Sequence, residues 1–146
     1  MRRVVALSIL FVLMGAPGAG AQASCTKAEF EAVVDDAAAA LRELNATNKP
    51  LFQEKLRQLK EKRGWSHDRF MVEAAPLVQD ERIAEYDQQS AEHLERINSL
   101  GSEGASASNP DCTMLTAVRE SMAALVQQQK AKWSYMFGKI DTALSK

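Results

Sequence analysis

The chain has 146 residues, in which 18 basic side chains nearly balance 19 acidic ones. Without the two arginines of the leader predicted below, the net charge is 16 minus 19, or −3, which excludes a surface that attracts nucleic acid generally. Ala, Leu, Glu, Lys and Gln are abundant and β-branched clusters are few, so the composition predicts one helical domain.

Residues 1–23 have the three-part layout of a secretory signal peptide. Two arginines follow the initiator Met, an apolar run of 11 residues comes next, and small residues end the segment with a cleavage site after Ala23. The arginines lack the polar surroundings of a twin-arginine signal, so we expect general secretion. Gln22 does not fit a lipoprotein motif before Cys25.

The mature chain, 24–146, is therefore expected to be periplasmic or secreted and to form a single helical-bundle domain. Its apolar runs are far shorter than the roughly 18 residues that cross a bilayer, so no membrane-spanning helix is expected.

Cys25 and Cys112 are the only cysteines. Exported proteins enter an oxidising space, where two thiols tend to pair, so we predict a structural disulfide between them. They are 87 residues apart, unlike the closely spaced pair of a redox site, and no His or Cys accompanies either at the spacing of metal ligands. An intermolecular pair is the alternative.

The first helix is predicted over 26–63. Residues 26–29, TKAE, form a capping box, and apolar residues follow at helical spacing. Pro50 removes one backbone N–H, but the apolar pattern resumes in phase at Leu51, so a kink is expected there. Gly64 is a suitable terminator.

Two further helices follow in the sequence. Ser66 is a good N-cap for a helix over 66–100, which contains Pro76. The segment GSEGASASNP, 101–110, is predicted to be a loop, and its last two residues open a final helix over 110–145.

The predicted disulfide favours three long helices over four. If Pro50 began a separate helix, four helices running alternately up and down would leave Cys25 and Cys112 at opposite ends. A helix over 66–100 is about 52 Å long, whereas a ten-residue loop reaches at most about 36 Å, so the loop could not return Cys112 to Cys25. Three helices in up-down-up order bring them together. We therefore expect an all-α, elongated antiparallel three-helix bundle kinked at Pro50 and Pro76. The alternative is a four- or five-helix bundle broken at those prolines.

Charge is unevenly distributed along the chain. Residues 49–69 carry seven basic and three acidic side chains, whereas 70–103 carry two and eight. The six residues that we call the basic turn lie around the junction of the first two predicted helices: Lys60, Lys62, Arg63, Trp65, His67 and Arg69. They are a candidate anchor for an acidic partner, because aromatic residues and arginine are common at binding hot spots. The favoured interpretation is structural, with cations complementing a helix C-terminus and Trp65 covering the core.

The sequence does not predict an active site or a cofactor. Ser66, His67 and Asp68 are consecutive, so their side chains diverge and cannot form a catalytic triad. His67 and Met71 have the spacing of half a copper site, but His93 lies about 39 Å along the predicted helix.

We therefore expect an exported, non-catalytic helical protein that contacts another protein or envelope component through the basic turn. The alternative is a carrier of a small ligand or of copper. Its site would be a pocket near Trp133, at the level of the two prolines, or a contact with His67 and Met71.

Overall fold

The computed structural model describes residues 25–107 and 112–146, and the predicted signal peptide, 1–23, lies outside them. The described residues are helical with no strand, which confirms the all-α class. They form four helices: α1 Lys27–Arg63, α2 His67–Val78, α3 Glu81–Ser106 and α4 Cys112–Ser145.

Helix α1 covers the predicted range except for Thr26, which is its N-cap. Its N-terminus carries the capping box, in which the Thr26 N–H donates to Glu29 Oε2 at 2.7 Å. The helix continues through Pro50, which has no N–H to donate to the Ala46 carbonyl one turn earlier, and both residues are exposed. Water can bond that carbonyl, so the proline does not end the helix.

The predicted second helix, 66–100, is wrong as one continuous element. Helix α2 ends at Val78, two residues beyond Pro76, and α3 begins at Glu81 after two residues with extended backbone. Asp80 caps α3, because its Oδ1 accepts the Ile83 N–H at 2.8 Å. The expected three-helix count is thus wrong, since four helices are found among the described residues. The alternative placed a break near Pro76 but was wrong about Pro50.

The loop predicted over 101–110 is helical over 101–106, where α3 continues past Leu100. A Cβ atom at Gly104 would lie 2.8 Å from Phe30 Cε1, so only glycine allows α3 to approach α1 this closely. Helix α4 is described from Cys112, and its predicted start at 110 lies outside the described residues.

Helix α4 packs along both α1 and α3, which contact each other at far fewer positions. It runs parallel to α1, since both start at the disulfide end and Lys55 meets Asp141 at 2.6 Å near the other. It runs antiparallel to α3, as the pairs of Ser90 with Gln129 and of Asp80 with Lys139 show. The three long helices therefore have the predicted up-down-up order.

The predicted pairing of Cys25 with Cys112 is confirmed. Their sulfurs lie at disulfide-bond distance, and their Cα atoms are 5.2 Å apart.

The buried apolar residues form two clusters along the bundle. The disulfide-end core contains Phe30, Ala37, Ile97, Leu115, Val118, Met122 and Leu125. The distal core contains Phe52, Leu59, Ile83, Met136 and Ile140. Helix α2 lies at the distal end and contacts chiefly α4.

Candidate interaction surface

The basic turn lies at the distal end, where α1 passes into α2. Gly64 has a left-handed backbone, with φ of 62°, and its N–H donates to the Glu61 carbonyl at 3.1 Å. The Trp65 N–H donates to the Lys60 carbonyl at 3.1 Å. These two bonds define a Schellman motif, and Ser66 then caps α2. The turn is therefore fixed by local hydrogen bonds.

Three residues of the basic turn make the contacts that the structural interpretation requires. Lys62 Nζ donates to the Leu144 carbonyl, and an Arg63 Nη donates to the Ala143 carbonyl at 3.1 Å. Both cations thus satisfy carbonyls in the last turn of α4. Trp65 is half-buried against the distal core. Their role in binding stays a prediction.

The other three residues of the basic turn differ in exposure. Lys60 is half-buried, and its Nζ lies 5.7 Å from the centre of the Phe70 ring. His67 and Arg69 are exposed, and Arg69 Nε lies 3.6 Å from a Glu73 carboxylate oxygen.

The positive charge of this turn is only partly neutralised. Within the described residues, no carboxylate lies within 4.0 Å of the charged groups of Lys60, Lys62 or Arg63.

An exposed apolar stripe on α2 adjoins the basic turn. We call it the α2 stripe: Met71, Val72, Ala75 and Val78. At this spacing the four side chains share one side of the helix. Met71 is 59%, Val72 73% and Val78 39% exposed, whereas Ala74 on the inner side is buried. Helix α2 is therefore apolar both toward the core and toward solvent.

Helical spacing in the sequence predicts a single apolar face for this helix, formed by Phe70, Ala74 and Leu77. The structure places these residues inward, half-buried or buried, but it also leaves the α2 stripe exposed on another side. Met71 and Val72 indicate a second apolar side in the sequence, because a helix with one buried face does not need apolar residues at these two positions. Only the packing shows which apolar side is left uncovered.

Other exposed apolar residues stand singly. Leu51 of α1 is 55% exposed, but its neighbours three and four positions away are all polar. Scattered residues of this kind are normal on protein surfaces, whereas an apolar cluster marks an interaction site. Leu51 is therefore a matched control for Met71.

Hydrogen bonds and an ion pair connect the C-terminal end of α2 to α4. Lys139 Nζ donates to both the Pro76 carbonyl and Asp80 Oδ2, and the Tyr135 hydroxyl donates to Asp80 Oδ2 at 2.8 Å. Lys139 and the backbone N–H of Ile83 lower the pKa of Asp80 to about 2. The accepting carboxylate also raises the pKa of Tyr135. This network holds the α2 stripe in place.

The residues of the copper hypothesis lie on the same surface. His67 and Met71 are both exposed on α2. In the part of the chain that the structure describes, no group of three or more His, Cys, Asp or Glu side chains could hold a metal ion.

The ligand-pocket hypothesis concerned Trp133, which is half-buried beside the distal core. Its Nε1–H donates to Asn45 Oδ1 at 3.1 Å, and its ring centre lies 6.0 Å from those of Phe52 and Phe137.

A cavity of about 400 Å³ lies instead at the disulfide end, between α1 and α3. Its apolar lining includes Phe30, Val34, Gly104 and Val118.

Across 25–107 and 112–146, none of the helices has the length and apolar character needed to cross a membrane.

Comparisons of the chain with protein-family models, with curated proteins and with solved structures find no match.

Proposed function

We propose that this protein is exported and acts, without catalysis, by binding another protein through its distal surface, which comprises the basic turn and the α2 stripe. The observation that carries the proposal is the uncovered α2 stripe, in which Met71 and Val72 are both more than half exposed. A two-sided apolar helix at one end of a bundle is typical of a contact surface.

The energetics favour this role. Burial of an exposed Met or Val side chain in an interface stabilises a complex by about 1.5–3 kcal/mol. Because Ser66 caps the N-terminus of α2 and the Gln79 N–H donates to the Ala75 carbonyl at its C-terminus, the surface is already ordered before binding. Pre-organisation reduces the entropy lost on association. The neighbouring cations of the basic turn favour a partner that carries acidic groups.

Export is part of the proposal. The paired cysteines support it, since stable disulfides belong to oxidising compartments. We expect the mature protein from its native host to begin at Ser24, as measured by N-terminal sequencing and intact mass. A cytoplasmic protein that retains Met1 would contradict export.

Affinity capture from the host's envelope fraction tests the binding role. We expect Met71→Glu and Val72→Glu to lose a protein that the native chain retains, because each places a charge in the contact. Leu51→Glu introduces the same charge at a similarly exposed position and should retain it. Equal capture by all variants would show that the α2 stripe is not the binding site.

A small-ligand carrier is the second candidate function, and the 400 Å³ cavity at the disulfide end favours it. Its apolar lining suits an apolar molecule. Native mass spectrometry of the protein from its host should then show a bound small molecule that Gly101→Phe displaces. A mass equal to that of the chain alone would contradict this function.

A further inference from the structure

We infer that the α2 stripe packs against the α2 stripe of a second copy of this chain, with the two helices antiparallel about a twofold axis near Ala75. This inference rests on the proposed function, because it uses the same distal surface, and it identifies one partner of that surface.

The apolar residues of the stripe suit such a pairing. A twofold axis near Ala75 places Val72 of one copy opposite Val78 of the other, so the larger side chains flank the axis and the small one lies on it. A small residue at the crossing point lets two helices approach closely. Helix α2 has no strand edge to which another strand could be added, so the contact depends on side chains.

The charges at the two ends of α2 are also self-complementary. At its N-terminus lies the basic turn, where Lys60, Lys62 and Arg63 have no carboxylate within 4.0 Å in the described chain. Beyond its C-terminus, Glu81 and Glu85 are exposed on the side of α3 opposite the buried Ile83.

When the two α2 helices are antiparallel, the basic end of each copy lies near the acidic end of the other, which gives two equivalent charged contacts. A parallel pair would place like charges together. Complementary charges of this kind fix the orientation of an interface.

The size of the contact sets the expected affinity. The stripe spans 71–78, about 10 Å along the helix, so it is smaller than a stable interface, which buries roughly 800 Å² on each partner. The dimer is therefore expected to form at high protein concentration and to weaken with added salt, which screens the charged ends. A different protein that binds the distal surface must displace the second copy.

Analytical ultracentrifugation of the mature chain tests the inference over about 1–500 µM, the range for weak association. We expect a monomer–dimer equilibrium whose dissociation constant rises about tenfold or more in Val72→Glu and stays unchanged in Leu51→Glu. A monomer at every concentration would overturn the inference. So would a dimer that Val72→Glu leaves intact.

A charge exchange tests the antiparallel orientation. Lys60→Glu and Glu85→Lys should each weaken the dimer by about threefold or more, and the double variant should recover most of that loss because the opposite charges meet again. Losses that simply add would overturn the predicted orientation. Salt titration of the native chain tests the charged contact without a variant. A dissociation constant that does not change with salt would contradict that contact.

Failure of this inference and failure of the proposed function are distinguishable. If the pure protein is monomeric while Val72→Glu loses a captured protein that Leu51→Glu retains, the inference is wrong and the proposed function stands. If Val72→Glu dissociates the dimer but captures the same proteins as the native chain, the proposed function is wrong and the inference stands.

Discussion

The two ends of the bundle use their apolar residues differently. At the disulfide end, Cys25 and Cys112 join α1 to α4, and Gly104 brings α3 against Phe30, so three helices share one core. At the distal end, caps and ion pairs hold the elements together, and α2 keeps an apolar side exposed. One end therefore carries the fold's covalent tie, whereas the other leaves an apolar side of a helix uncovered.

The largest expected effect comes from opening the covalent tie. Replacement of both cysteines by Ser releases a ring of 87 residues, and loop-closure entropy predicts a loss of about 4–5 kcal/mol in the free energy of unfolding. Urea unfolding of the native and double-variant proteins measures it. A loss below about 1 kcal/mol would show that the disulfide end does not depend on the bridge.

Close packing of α3 against α1 gives the next largest effect. Gly104→Ala forces Phe30 to move and should lower the free energy of unfolding by about 1–3 kcal/mol. Gly101→Ala is the control, since its Cβ meets nothing within 4 Å, and it should stabilise the helix by about 0.5–1 kcal/mol. The same response from both variants would contradict the packing described for Gly104.

At the distal end, the charge of Asp80 makes a pH-dependent contribution. Lys139 first, and then the Ile83 N–H, lower its pKa from 3.8 to about 2. A carboxyl whose pKa is lower in the folded chain stabilises the fold above about pH 4, and this stabilisation is lost as the pH falls toward 2.

Asp80→Asn isolates that charge, because Asn remains a good helix cap. We expect the variant to be less stable than the native protein at pH 7, with the difference shrinking between pH 4 and pH 2. Thermal unfolding across this range measures it. A difference that does not change with pH would rule out the pair with Lys139 as its source.

The smallest effect is expected on the α2 stripe. Val72→Ser should change the free energy of unfolding by less than about 0.5 kcal/mol, because the side chain is mostly exposed. Ala74→Leu, on the buried side of the same helix, should cost about 1–3 kcal/mol because the larger side chain must displace its packed neighbours. Chemical denaturation compares the two. Similar losses would mean that the stripe is covered within the monomer.

Local chemistry made one part of the fold predictable. The capping box at Thr26, the left-handed Gly64 and the up-down-up order of the three long helices follow from neighbouring residues or from one loop constraint. The disulfide followed from the predicted compartment and the count of cysteines. These inferences required no knowledge of which helix faces pack together.

The errors have tertiary causes. Asp80 ends one helix and begins another because it caps α3 while Lys139 and Tyr135 of α4 hold it. Gly104 lies in a helix because α1 packs against it. The basic turn could be located from charge alone, but the α2 stripe could not, because the sequence does not state which apolar side of α2 faces the core.

A photo-reactive amino acid placed at position 71 or position 51 of the exported protein in its native host tests the central claim most directly. Both positions are similarly exposed, but only the first lies on the α2 stripe. The account predicts covalent adducts with a second copy or another protein from position 71 and none from position 51. Adducts of equal yield from both positions, or none from position 71, would contradict it.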